Sequence, residues 1–167
     1  MEILNQWHDF FLMVGGGAAA LAGLVFVAMS INLSVLAQDP THKNRAIGTL
    51  TGFTAIFMIC AFALMGGEGY RSVGTEWLLV SSIAMLIYIR GYILAVKEGG
   101  SPKGLSIIRT IFGATCYAIQ IIGSLMLLSG HISGLYAAAI AMVLSFTSLI
   151  SGAWLLIMGI HEVSSTK

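Results

Sequence analysis

The sequence SIIRTIFGATCYAIQIIGS, residues 106–124, is an apolar run in which small and weakly polar residues recur at regular intervals. These residues are Ser106, Thr110, Gly113, Tyr117, Gln120 and Ser124. Their steps of 4, 3, 4, 3 and 4 match the period of an α-helix and predict a helix with one polar stripe on an apolar surface. In a bilayer this stripe has to face protein or water, because hydroxyl and amide groups in hydrocarbon need a hydrogen-bond partner.

The composition of the whole chain is that of a polytopic membrane protein. Of its 167 residues, 57% are hydrophobic and only 9% are charged, and the mean hydropathy is +0.93. A soluble domain has about a quarter of its residues charged, and a helix needs about 20 apolar residues to cross a bilayer. We therefore expect an all-α fold, a polytopic membrane helical bundle that occupies residues 1–167 as a single domain. Its five predicted transmembrane helices are 10–36, 46–65, 77–96, 106–129 and 134–160.

Polar or glycine-rich segments separate the predicted spans. Residues 38–45 are expected to form a polar turn in which Pro40 ends the preceding helix. Residues 66–74 lack the lysine followed by serine or threonine that ends a phosphate-binding loop, so we interpret them as a flexible turn outside the membrane. Residues 97–104 form a third connection, and residues 161–167 a short polar tail.

Small residues recur at spacings of three and four in the first, second and fifth predicted spans. This pattern allows another helix to approach closely. In the fifth span the stripe consists of Gly134, Ala138, Ala141, Ser145, Ser148 and Gly152. Since identical chains usually assemble with closed cyclic symmetry, these faces favour a homo-oligomer.

Lysine and arginine residues are distributed unequally between the two predicted sides of the membrane. With five spans, seven of them fall on one side and only Arg71 on the other. Basic loops are generally cytoplasmic, so the N-terminus is predicted outside and the C-terminus in the cytoplasm. The basic rim is expected to attract anionic lipid, and the acidic outer mouth to enrich cations. A net charge of +1 with scattered basic residues gives no indication of nucleic-acid binding.

Arg90 is the charged residue that the sequence places well inside a span, and an intramembrane arginine is a functional hypothesis by default. However, Lys97 marks the end of that helix only about 10 Å away. Arg90 can therefore also extend to the headgroups, contact anionic lipid or pair with Glu98. The other charged candidates are Arg109, Glu68, Glu76 and Asp9.

The sequence assigns neither a catalytic site nor a metal or cofactor site. The four histidines lie in loops or at the ends of spans, so no pair of them is expected to bind a haem or a metal at membrane depth. Cys60 and Cys116 lie inside spans and are predicted to be core residues without a disulfide. We therefore predict that the protein is not an enzyme and uses no cofactor. In an enzyme, the outer carboxylates Asp9, Glu68 and Glu76 would be the candidates for acid–base chemistry.

The segment FLMVGGGAAALAGLVFVAMS, residues 11–30, resembles the first helix of small, uncharacterised bacterial multi-pass membrane proteins. The resemblance implies a multi-pass protein of the bacterial inner membrane. It transfers no activity and no residue role.

Two functions remain open. In the first, the protein is a homo-oligomeric ion channel or permeation protein, and the stripe of the fourth helix lines the path. Because a bundle of five helices holds little space, this path is expected along an oligomer axis. The polar residues expected on it are Gln120, Tyr117, Thr110, Ser124 and, from the first span, Asn32.

In the second function the protein is a non-conducting accessory or scaffold subunit that binds partner helices and anionic lipid. The stripe would then only form hydrogen bonds to neighbouring helices, worth about 0.5–1 kcal/mol each. We favour the first function, because Gln120 and Asn32 have no obvious acidic or basic partner in the chain.

Overall fold

The computed structural model describes residues 6–31, 40–65, 69–97 and 104–165. Over these ranges the chain forms five α-helices and no strand. The helices are α1 (His8–Ile31), α2 (Pro40–Leu64), α3 (Tyr70–Lys97), α4 (Gly104–Leu128) and α5 (Ser133–Ser165). Each contains a stretch that is long and apolar enough to cross a membrane, where only helices and closed barrels satisfy all backbone polar groups. The predicted all-α membrane bundle is confirmed.

Residues 70–74, predicted as part of a flexible turn, belong instead to the first turns of α3. The reason lies at Gly74, where a Cβ atom would be 3.0 Å from the backbone nitrogen of Leu128 and 3.1 Å from the carbonyl oxygen of Ser124. Here α3 and α4 approach so closely that a side chain at residue 74 would press on the backbone of α4. A glycine that suggested a turn therefore serves helix packing. Residues 66–68 of the predicted turn lie outside the described residues.

The polar segments before α2 and after α5 also differ from the sequence expectation. Pro40 is the first residue of α2, a position that proline favours because the first N–H groups of a helix have no partner within it. Residues 161–165, predicted as a polar tail, continue α5.

Helices α2, α3, α4 and α5 form a closed ring, and α1 packs outside it against α2. Neighbours along the chain contact one another, and α2 closes the ring against α5. At this closure the Sγ atom of Cys60 lies 3.9 Å from the Sδ atom of Met142. Both cysteines are buried and free, as expected. We call α2 to α5 the four-helix ring.

The two ends of the bundle differ in chemistry. At one end, which we call the aromatic end, Trp77 is fully buried and its Nε1 atom donates a hydrogen bond of 2.9 Å to the carbonyl of Ile59. The other rings of this cluster are Trp7, Phe10, Phe11 and Tyr136. The opposite end, the basic end, carries Lys43, Arg90, Lys97 and Arg109. That the basic end is cytoplasmic stays a prediction.

The small-residue stripe of α5 faces α4. A Cβ atom at Gly123 of α4 would lie 2.9 Å from the carbonyl oxygen of Gly134 and 3.1 Å from the backbone nitrogen of Ala138. The two backbones are thus nearly in contact, and dispersion between them stabilises the pair in the absence of a hydrophobic driving force between helices.

Candidate functional site

From Thr110 to Ser124, the polar stripe of α4 faces the interior of the four-helix ring. Gln120 is 4% exposed and Ser124 is fully buried, and Thr110 and Tyr117 are half-buried. The opposite side of α4, with Ile108, Ile111 and Ile122, is exposed to the membrane environment. The stripe is therefore covered by other helices of the same chain.

The register between α3 and α4 follows from two close contacts. A Cβ atom at Gly74 would lie 3.2 Å from the Cβ of Leu127, and one at Gly113 would lie 2.5 Å from the hydroxyl of Tyr88. Counting seven residues, or two turns, inward from either contact leads to Ser81 on α3 and Gln120 on α4. These two polar residues therefore lie at about the same level, halfway between the two contacts.

Ser81 and Gln120 are both buried, and neither side chain is fully hydrogen-bonded. The Oγ atom of Ser81 and the Nε2 atom of Gln120 have no hydrogen-bond partner among the described residues. Ser81 is fully buried, so lipid headgroups and bulk water do not reach it. Each such group costs about 1–3 kcal/mol when it is left without a partner.

Two small side chains lie at this level of the ring. The register of α3 and α2 follows from the contacts of Trp77 with Ile59 and of Tyr88 with Gly48. In this register Ala55 of α2 lies level with Ser81 of α3. By the contact of Gly123 with Ala138, Ala141 of α5 lies level with Gln120. Both alanines are buried. The unpaired amide and hydroxyl thus lie at the level of two buried alanine methyl groups.

Polar side chains continue from this level towards the basic end. The rings of Tyr117 and Tyr88 lie 5.7 Å apart, and the Tyr88 hydroxyl donates a hydrogen bond of 3.3 Å to the backbone carbonyl of Arg109. The same hydroxyl hydrogen-bonds with the side chain of Thr110. We call the whole set the polar column: Ser124, Ser81, Gln120, Tyr117, Tyr88, Thr110 and Arg109.

Arg109 ends the polar column between three helices. A Cβ atom at Gly152 of α5 would lie 2.6 Å from the Nη2 atom of Arg109 and 3.7 Å from the Oγ1 atom of Thr49, which is buried on α2. The guanidinium therefore occupies space that the missing side chain of Gly152 leaves free. The sequence had given Arg90 more weight, but Arg90 is exposed on the outside of α3.

The remaining charged candidates lie away from the column or outside the described residues. Asp9 is exposed at the aromatic end, where its carboxylate lies 3.2 Å from Nδ1 of the neighbouring His8. Glu76 is half-buried near the same end, with its Oε2 atom buried. Asn32 and Glu68 fall outside the part of the chain that the structure describes. The structure thus brings together Gln120, Ser124, Tyr117, Thr110 and Arg109.

Three residues of this site were not selected from the sequence: Ser81, Tyr88 and Thr49. A signal for two of them exists, because Gly74, Trp77, Ser81, Ala84 and Tyr88 follow one another at steps of 3, 4, 3 and 4. This is the same spacing as in the stripe of α4. Thr49 has no comparable signal, since its position depends on where α2 meets α5.

The fold makes the protein a small multi-pass integral membrane protein. No protein-family model, no curated protein and no solved structure matches the chain. The function therefore has to be inferred from the polar column itself.

Proposed function

We propose that the protein is a permeation protein, an ion channel or a pathway for another small polar solute, and that its path is the polar column inside the four-helix ring. The observation that supports this most directly is the buried pair Ser81 and Gln120. Both present a polar atom without a partner among the described residues, at about the same level of the ring.

The free-energy cost of burying the Ser81 hydroxyl and the Gln120 amide without partners favours a hydrated path over a purely structural role. Two polar groups without partners cost about 2–6 kcal/mol together in an apolar interior. An apolar pair at these positions would avoid the cost. Water or a polar solute that visits this level would supply the missing hydrogen bonds.

The covered position of the stripe favours a path inside one protomer over the oligomer axis expected from the sequence. The stripe of α4 packs against α3 and α5 of its own chain, so it is not available to line an axis between copies. The column is closed at the aromatic end, where Trp77 and Phe11 are buried with their ring centroids 5.7 Å apart. Conduction therefore requires that these rings move.

An exposed face of α1 favours a second candidate, the accessory or scaffold subunit. Gly16, Ala20 and Gly23 lie on one face of α1 and are exposed, and a Cβ atom at either glycine would meet nothing within 4 Å. Such a face accepts a helix of a partner, or of a second copy as in the homo-oligomer we expect. We also propose that the basic rim binds anionic lipid and that the protein lies in a bacterial inner membrane.

The test of permeation is solute flux through purified protein in liposomes. Wild type is compared with empty liposomes and with Gln120→Leu, which removes the unpaired amide. The matched control is Thr115→Val on the exposed side of the same helix, where the hydroxyl donates 2.9 Å to the carbonyl of Ile111. We expect flux in wild type and Thr115→Val, and its loss in Gln120→Leu with unchanged particle mass.

Absence of flux above empty liposomes for small cations, small anions and neutral solutes would overturn the permeation proposal. The accessory role would then be tested by particle mass in detergent. Gly23→Leu is expected to abolish association through α1, and Leu24→Ala, also on exposed α1 surface, serves as control.

A further inference from the structure

The helices of the four-helix ring pass the level of Ser81 and Gln120 without a break. Among the residues that the structure describes, a positive φ angle occurs only at Gly130, in the turn between α4 and α5. Backbone carbonyls in a regular helix accept the N–H group four residues later, and the carbonyl of Gln120 also accepts the hydroxyl of Ser124 at 2.8 Å. A solute at this level therefore has to find its hydrogen bonds on side chains.

Charged side chains lie away from this level. In the described spans of α2 to α5 they are Arg71, Glu76, Arg90 and Arg109. Two of the three arginines are exposed, and Arg109 is eleven residues, about 16 Å, from Gln120 along α4. Glu76 is five residues from Ser81, which places it about 140° away around α3. The polar groups at the level are thus uncharged: one hydroxyl and one amide.

These two groups cannot replace the hydration shell of an ion. A channel that passes a bare ion surrounds it with a ring of carbonyl oxygens or of charged side chains. An ion that is buried without such a ring costs far more free energy than a neutral polar molecule. A neutral molecule gives up only a few hydrogen bonds to water, and a hydroxyl and an amide can replace part of them. The level therefore favours a neutral solute over an ion.

The chemistry of the two groups also indicates what the solute has to offer. The Nε2 atom of Gln120 carries two N–H donors and no acceptor, so the solute needs an acceptor atom. The Ser81 hydroxyl can either donate or accept, so it suits an oxygen as well as an O–H or N–H group of the same molecule. Water, glycerol and urea combine an oxygen acceptor with donors on a small body.

We propose that the polar column conducts water and small uncharged molecules with an oxygen acceptor, such as glycerol or urea, and that the level of Ser81 and Gln120 excludes ions. The proposal rests on the proposed permeation function and names the class of its solute. The Gln120 amide donates to the oxygen of the passing molecule, and the Ser81 hydroxyl forms a second hydrogen bond with it.

The experiment compares neutral and ionic permeability in the same liposomes of purified protein. Light scattering follows osmotic shrinkage in sucrose for water, and the subsequent swelling in glycerol or urea for these solutes. The decay of a potassium chloride gradient gives the ion permeability. We expect wild type to exceed empty liposomes for water and for glycerol or urea, and to equal them for potassium and chloride.

Two interior variants test the role of the unpaired groups. Gln120→Leu removes both donors and is expected to lower the excess glycerol or urea permeability about fivefold or more. Ser81→Ala removes one hydroxyl without adding bulk, so it covers the case that Gln120→Leu does not fold, and is expected to lower the excess several-fold. The matched control is Ser151→Ala, the same substitution at an exposed serine whose hydroxyl donates 3.0 Å to the carbonyl of Thr147. We expect no change in this control.

The possible failures can be told apart. Potassium or chloride permeability above that of empty liposomes would overturn the exclusion of ions while leaving permeation intact. Neutral permeability that is the same in wild type, Gln120→Leu and Ser81→Ala would overturn the assignment of the solute to this level. If neither neutral nor ionic permeability exceeds that of empty liposomes, the proposed permeation function fails and the solute class fails with it.

Discussion

Polar side chains on the lipid-facing surface and in the ring interior follow different rules in this protein. Seven exposed serine and threonine hydroxyls each donate a hydrogen bond of 2.8–3.0 Å to the backbone carbonyl four residues earlier. This set consists of Ser30, Thr54, Thr75, Thr115, Ser129, Thr147 and Ser151. In the interior, the Ser81 hydroxyl and the Gln120 amide nitrogen have no partner that the described residues provide.

The comparison shows at which positions the described residues leave a polar side-chain atom without a hydrogen-bond partner. A hydroxyl that bonds to its own helix presents almost no polar surface to lipid, so it does not need a neighbour. Ser124 uses the same solution inside the ring, donating 2.8 Å to the carbonyl of Gln120. Ser81 does not, although the same rotamer is accessible to a serine in a helix. Ser81 and Gln120 thus present polar atoms without a partner among the described residues at about the same level of the interior.

The largest effect is expected at Gly123, where the backbones of α4 and α5 are nearly in contact. A side chain there meets the backbone of α5, which cannot move aside as a flexible side chain can. Gly123→Leu is expected to lower the free energy of unfolding by about 3 kcal/mol or to prevent folding. Gly91→Leu on α3, whose Cβ atom would meet nothing within 4 Å, is expected to change it by less than about 1 kcal/mol. Unfolding in detergent by titration with dodecyl sulfate gives both values, and equal losses would show that the α4 and α5 backbones do not approach this closely.

A smaller effect is expected when a tryptophan of the interior is replaced by phenylalanine, compared with a tryptophan of the exposed surface. Trp77 is fully buried and donates to the Ile59 carbonyl, whereas Trp154 is 64% exposed. Trp77→Phe loses this hydrogen bond and part of a packed ring, so we expect a loss of about 2 kcal/mol. Trp154→Phe is expected to stay within about 0.5 kcal/mol of wild type. Thermal unfolding in detergent tests this pair, and a stable Trp77→Phe would contradict the closure of the aromatic end described above.

The sequence predicted the helices and the polar side of α4 because both depend on local periodicity. Apolar runs define the spans, and steps of three and four define the stripe whatever the neighbours are. The neighbours themselves depend on how helices far apart in the chain meet. The position of Arg109 against Gly152 and Thr49 is one such case, because it joins three helices. Gly74 was predicted to lie in a turn for the same reason. The sequence alone does not distinguish a glycine in a loop from a glycine at a close contact between two helices.

The next smaller effect is expected at Gln120 in the ring interior. Here the substitution is expected to stabilise the protein, whereas the previous ones destabilise it. Gln120→Met keeps the size of the side chain and removes an amide nitrogen that has no partner in the described structure. We expect the free energy of unfolding in detergent to rise by about 1 kcal/mol. Under the proposed permeation function the amide of Gln120 contacts the solute, so flux in liposomes should fall at the same time. A variant that loses stability would show that the amide is fully hydrogen-bonded in the protein, and the contrast with the lipid-facing hydroxyls would then disappear.

The smallest effect is expected at the lipid-facing surface, in Thr115→Val. Thr115 lies on α4, two residues from Gly113 and Tyr117 of the polar stripe, but its side chain is exposed and its hydroxyl is bonded to the Ile111 carbonyl. Valine keeps the branched shape and gives up a hydrogen bond that only competes with the backbone ladder of the same helix. We expect the free energy of unfolding to change by less than about 0.5 kcal/mol and the flux not to change. A clear change in flux would mean that the outer face of α4 lines a path between copies, and the oligomer axis would then replace the ring interior as the place where solute passes.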